Sequence, residues 1–65
     1  MRLFINGEEH HLEVTSLSEI ISHFQLEPKL VVAEVDGNIV DRDDWSDTTT
    51  KADMKIELVQ FIGGG

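Results

Sequence analysis

The chain is 65 residues long and carries 13 acidic against 5 basic residues, a formal net charge of −8. It holds no cysteine, which excludes a disulfide framework, a thiolate zinc site and a thiol nucleophile. The length suits one small domain, too little chain to surround a metabolite pocket of roughly 300–1,000 Å³, and so acidic a domain is a poor match for nucleic acid, whose phosphates need Lys and Arg.

No run approaches the roughly 18 apolar residues of a membrane span, and no basic stretch followed by an apolar one opens the chain. A cytoplasmic protein without membrane contact is therefore expected. A basic protein surface is the better-matched partner, with the charge speeding encounter more than adding affinity. Apolar residues make up 40% of the chain and are patterned, unlike those of a disordered segment.

Met1 to Ile5 is short and apolar-rich, and Asn6-Gly7 follows it, a strong hairpin signal. His10-His11-Leu12-Glu13-Val14 then alternates. Two antiparallel strands are expected, at about 1–5 and 10–14. Period two puts Leu3 and Ile5 on one face and Arg2 and Phe4 on the other, and gives Leu12 and Val14 the core face of the second strand.

The period then becomes helical: Leu17, Ile20, Ile21 and Phe24 share one helix face. Ser16 and Glu19 form a capping box that satisfies two orphan N–H groups. Pro28 cannot sit inside a helix, so the helix of about ten residues stops near Gln25.

Leu30 to Val35 reads as a strand with Val31, Ala33 and Val35 inward and Val32 and Glu34 outward. Asp36-Gly37 turns it back into a short strand, Asn38 to Val40. Asp41 to Asp53 is polar, and Trp45, its one large aromatic, is expected to pin it to the core. Lys55 to Ile62 is the last strand, with Ile56 and Leu58 inward and Val59 and Phe61 outward. The sequence ends in Gly63-Gly64-Gly65.

The order is β-β-α-β-β-β. Parallel pairing of the first and last strands gives an α+β fold of β-grasp architecture: a mixed sheet of four to five strands packed on one helix. Residues 1–62 form this domain and 63–65 a flexible glycine tail. Phe4, Val32, Val59 and Phe61 fall on the sheet face away from the helix, where β-grasp order would set them side by side. With Ile62 at the root of the tail they form the expected partner-binding surface, since an exposed apolar group of that size usually marks an interface.

Other constellations read more plainly. Asp41, Asp43, Asp44 and Asp47 lack the glycine and the closing bidentate Glu of a calcium loop and form a solvated acidic loop. His10 and His11 are strand neighbours pointing to opposite faces, so with His23 they are surface residues, and no metal site is expected. No catalytic triad or paired catalytic carboxylates can be argued.

The whole chain resembles the sulfur carrier proteins of thiamine biosynthesis, the ThiS family, with their ubiquitin-like β-grasp fold. The resemblance rests on the element order, on Val35-Asp36-Gly37-Asn38-Ile39-Val40-Asp41-Arg42-Asp43-Asp44-Trp45, and on the ending Val59-Gln60-Phe61-Ile62-Gly63-Gly64-Gly65. The middle segment is similar to the family's small turn, Ile-Val pair, short spacer and aromatic. Gly64-Gly65 match the family's Gly-Gly end, and Gly63 stands where the family has a small residue. Lys51-Ala52-Asp53-Met54 departs from the family's usual Gly-Asp turn, which touches turn geometry rather than the tail.

The resemblance implies a protein that is not itself an enzyme but a covalent cosubstrate, monomeric when free and binding no cofactor of its own. A partner adenylating enzyme, using ATP and its metal, would form an acyl-adenylate on the Gly65 carboxylate. A desulfurase or persulfide source would supply the sulfur that displaces AMP, and the thiocarboxylate would serve thiazole synthase. Glycines suit such a tail because backbone without side chains can approach a nucleotide closely. Three other readings share features with this one. The small subunit of molybdopterin synthase has the same fold and tail, though it is usually longer and tends to carry prolines before the terminal segment. A ubiquitin-like modifier would form isopeptide bonds, and a plain binding domain would carry an inert tail.

Overall fold

Two Asx-Gly turns set the two hairpins. Asn6 and Gly7 have φ of 52° and 81°, and Asp36 and Gly37 of 49° and 89°. Two successive left-handed residues make the type I′ turn, whose twist matches that of paired strands. The structure, a computed structural model, describes residues 1–61.

The first turn joins β1 (Arg2–Ile5) to β2 (Glu8–His11), in a register that pairs Ile5 with Glu8. The second strand thus starts earlier than the alternation of 10–14 suggests, because a two-residue turn leaves no residues for a longer loop. Leu12 still bonds back, its N–H to the Met1 carbonyl at 3.0 Å. Leu12 and Val14 pack half-buried against the core.

Helix α1 (Leu17–His23) is shorter than the expected ten residues. The Ser16 hydroxyl accepts from the Glu19 N–H at 3.2 Å, one half of the capping box. In the other half the Glu19 carboxylate reaches one residue further back, accepting from the Thr15 N–H at 2.6 Å and its hydroxyl at 3.0 Å. The helix ends in a Schellman motif. Gln25 is left-handed at φ 57°, its N–H bonds to the Ser22 carbonyl, and the Leu26 N–H bonds to that of Ile21. Pro28 then opens a 3-10 turn, Pro28–Leu30.

That turn leads into β3 (Val31–Val35), which pairs antiparallel with β4 (Asn38–Val40). A 3-10 segment, Arg42–Asp47, was not legible in the polar loop. Trp45 within it is 4% exposed, and its indole N–H donates to the Val40 carbonyl at 2.9 Å, so the loop is pinned as expected. Lys51-Ala52-Asp53-Met54 closes as a turn with Met54 N–H on the Lys51 carbonyl at 3.1 Å. Asp53 takes the left-handed position at φ 65°, a conformation Asp tolerates, so this turn forms without a glycine.

Strand β5 (Lys55–Gln60) completes a sheet in the order β2-β1-β5-β3-β4. It runs parallel to β1 and antiparallel to β3. This is the mixed β-grasp sheet, and five strands form it. Leu3, Ile5, Ala33, Ile56 and Leu58 meet Leu17, Ile20 and Ile21 of the helix in one core. Among the described residues no helix is long and apolar enough to cross a membrane.

Candidate functional site

Strand β5 carries the chain toward its end from the middle of the sheet, held by β1 on one side and β3 on the other. Alternation sends Ile56 and Leu58 into the core, and Val59 and Phe61 outward at 51% and 58% exposed. Val59 faces Val32 across the β3–β5 pair, and the Phe61 N–H bonds to the Leu30 carbonyl at 2.8 Å. Val32, Val59 and Phe61 thus gather at the end of β5 from which the remaining residues depart. Ile62, Gly63, Gly64 and Gly65 lie outside the described residues.

Phe4 does not join them. The parallel register sets it beside Lys55, four residues before Val59 and so about 13 Å away along the strand. Glu57 stands between. The expected side-by-side row of four is corrected to two separate sites, because β1 pairs with the start of β5 rather than with its end. Phe4 is half-buried, with the Arg2 guanidinium 5.3 Å from its ring centre. Arg2 in turn donates to Asp53 at 2.6 Å, and that hydrogen bond and charge raise the Arg2 pKa above its ordinary value.

Two members of the exposed apolar surface escaped the sequence reading. Leu30, at 38% exposed, flanks Phe61, and Ile39, at 69%, pairs with Glu34 on the outward face of β4. Both had a signal. The Asp36-Gly37 turn fixes the β3–β4 register and so makes Ile39 a neighbour of Glu34. A strand begun at Leu30 shares parity with Val32.

The histidines do not converge. His10 is half-buried with its ring edge-on to Phe24 at 5.4 Å, His23 packs on the same ring at 5.0 Å, and His11 is exposed beside Glu9. Among the described residues no group of three or more His, Cys, Asp or Glu could hold a metal ion. Clefts of about 370 Å³ and 450 Å³ flank the helix, the first between Phe24, Leu26 and Leu58, the second between Ser18, Ser22 and Trp45. Among the described residues, the apolar end of β5 sets an exposed surface at the last described position of the chain.

Comparison with known proteins places this architecture. The family model described as ThiS family matches residues 3–65. The crystal structure of a thiamine biosynthesis protein (ThiS) from Geobacter metallireducens superposes with a TM-score of 0.83 at 26% identity, covering all of both chains. A solution structure of a thiamine biosynthesis protein from the same organism gives 0.82, covering 88% of that chain. An uncharacterized protein, ycf40, of Trieres chinensis is 32% identical over 95% of this chain and 86% of its own length. A thiazole synthase of Magnetococcus marinus is 33% identical over the whole of this chain, which spans only 20% of that protein. With a family match that runs from the first strand through the terminal glycines, on a β-grasp sheet shared along its full length, the chain belongs to the ThiS family, the small sulfur carriers of thiamine biosynthesis.

Proposed function

We propose that the protein carries sulfur as a thiocarboxylate on the Gly65 carboxyl and delivers it for thiazole formation. The observation that supports this reading most is the family match extending through Gly65 on a chain whose last strand is central. A free carboxylate is a poor electrophile. Transfer of AMP from ATP to the carboxyl, with loss of pyrophosphate, makes its carbon attackable. Sulfide forms the C–S bond directly as the bond to AMP breaks. A desulfurase persulfide instead forms an acyl persulfide as AMP leaves, and a thiol of the sulfur-donating system then cleaves its S–S bond, releasing the thiocarboxylate and becoming a disulfide. Thiazole synthase is the acceptor.

ATP and its metal belong to the adenylating enzyme; the carrier contributes the chain end and a grip. Docking a glycine tail into a narrow channel costs roughly 1–2 kcal/mol per residue in backbone entropy. The globular domain offsets this cost with binding energy, and Val32, Val59, Phe61 and Ile62 are the residues for it, with Leu30 beside them. The protein works in this reading as a free cytoplasmic monomer and is not itself a catalyst.

Intact mass spectrometry after incubation with the adenylating enzyme, ATP and a sulfur donor tests the proposal. The expected product is heavier by the difference between sulfur and oxygen, and absent when Gly65 is removed. Unmodified mass accompanied by higher-mass conjugates would instead mark a protein modifier.

A further inference from the structure

Glu34 and Glu57 stand directly opposite each other on β3 and β5. Like charges in that relation weaken a sheet. Among the described residues neither carboxylate has an ion-pair partner, although Glu9, Glu13 and Asp53 each have one. Glu57 is exposed and Glu34 half-buried. The next cross-strand position beyond Glu34 is Ile39, more exposed than any other large apolar side chain among the described residues. The row Ile39–Glu34–Glu57 lies directly beside the Val32–Val59 row, so the apolar surface ends against two facing carboxylates.

We propose that this row receives an arginine or lysine side chain of thiazole synthase when that enzyme sits on the Val32, Val59 and Phe61 surface. This rests on the sulfur-carrier reading above. Side chains directly opposite in an antiparallel pair have Cβ atoms about 4.5–5.5 Å apart, so one cationic head can contact both carboxylates. Its apolar stem lies along Ile39. A cation placed there also cancels the repulsion between the two acids, so the free sheet is primed for a partner of that charge. Thiazole synthase is the occupant because such an enzyme contains, within one polypeptide, a region alike to this chain over its whole length. The net charge of −8 calls for a basic partner surface.

The experiment measures the Kd of the full chain for purified thiazole synthase at low and high salt, with urea unfolding alongside. The doubly neutralised variant Glu34→Gln/Glu57→Gln is compared with Asp43→Asn/Asp47→Asn, which changes the net charge equally in the distant acidic loop. The row variant should raise Kd by about tenfold or more and flatten its salt dependence, while the loop variant changes it less than about twofold. Its urea midpoint should equal or exceed that of the wild type. Equal effects of the two variants would overturn the proposal, and so would a lower midpoint, which would mean that the pair supports the free sheet. Val59→Asp and sulfur loading separate the two levels of inference. If Val59→Asp abolishes binding and the row variant does not, the ionic contact fails while the carrier reading stands. Wild-type protein that loads sulfur but shows no affinity for thiazole synthase has the same meaning. Protein that neither loads nor binds overturns both.

Discussion

Asn6 holds both backbone groups of Leu58 with its side-chain amide: Nδ2 donates to the Leu58 carbonyl at 3.2 Å, and Oδ1 accepts from the Leu58 N–H at 2.8 Å. The backbone of β1 turns away at this residue, yet the amide carries the pairing with β5 onward. One asparagine thus serves a left-handed turn at φ 52° and clamps the terminal strand. Asn6→Gly keeps the turn conformation and leaves the two half-buried Leu58 groups without these partners. A loss of about 1–3 kcal/mol is expected, measured by urea unfolding. Asn6→Asp keeps the acceptor for the Leu58 N–H but turns a carboxylate oxygen toward the Leu58 carbonyl, so it should also be destabilising.

Glu19 gives the fold an acid-sensitive component. Hydrogen bonds from the Thr15 backbone and then its hydroxyl hold the carboxyl below its ordinary value of 4.5. A lowered folded pKa means stability that is fully present above the unfolded value and is lost as pH falls through the folded one. The difference in urea midpoint between wild type and Glu19→Gln should therefore be constant above about pH 5 and shrink as pH falls below 4.5.

Trp45→Phe retains most of the buried ring and removes the N–H that caps the Val40 carbonyl. A destabilisation of about 1–3 kcal/mol is expected, with hydrogen exchange quickening first across Arg42–Asp47.

Phe61→Asp should lower the kcat/KM of sulfur loading about tenfold or more, equivalent to about 1.4 kcal/mol, without moving the thermal midpoint, because the side chain is 58% exposed. Phe4→Ala, at the far end of β5, should change loading less than about threefold. The contrast is read by following the mass change over time.

Local chemistry made most of the fold legible. Asn6-Gly7 and Asp36-Gly37 each dictate a hairpin, the alternation of Leu3 with Ile5 and of Ile56 with Leu58 selects the core face, and Ser16 marks the helix start. What stayed hidden depends on distant partners. The parallel pairing of the first and last strands is as expected, but its register, which sets Ile5 opposite Ile56, is specified by no turn, and that register is what separates Phe4 from Val59. The start of β2 was misplaced for a different reason. The alternation of Leu12 and Val14 is real, since both pack on the core, but the two-residue turn outranks hydrophobic alternation in fixing where pairing begins. The surface at the end of β5 was half legible: Val32, Val59 and Phe61 followed from parity, and Ile39 needed the hairpin register carried one strand further.

The central place of β5 has a mechanical consequence. Its neighbours bond it along both edges, and β1 runs in the same direction, so a force drawing the chain end away from the anchored N-terminus loads the rungs between those two strands sideways and together. Had the terminal strand lain at an edge with an antiparallel neighbour, the same pull could peel it off one rung at a time. In the carrier role proposed above, a pull on the chain end is therefore borne in shear between β1 and β5.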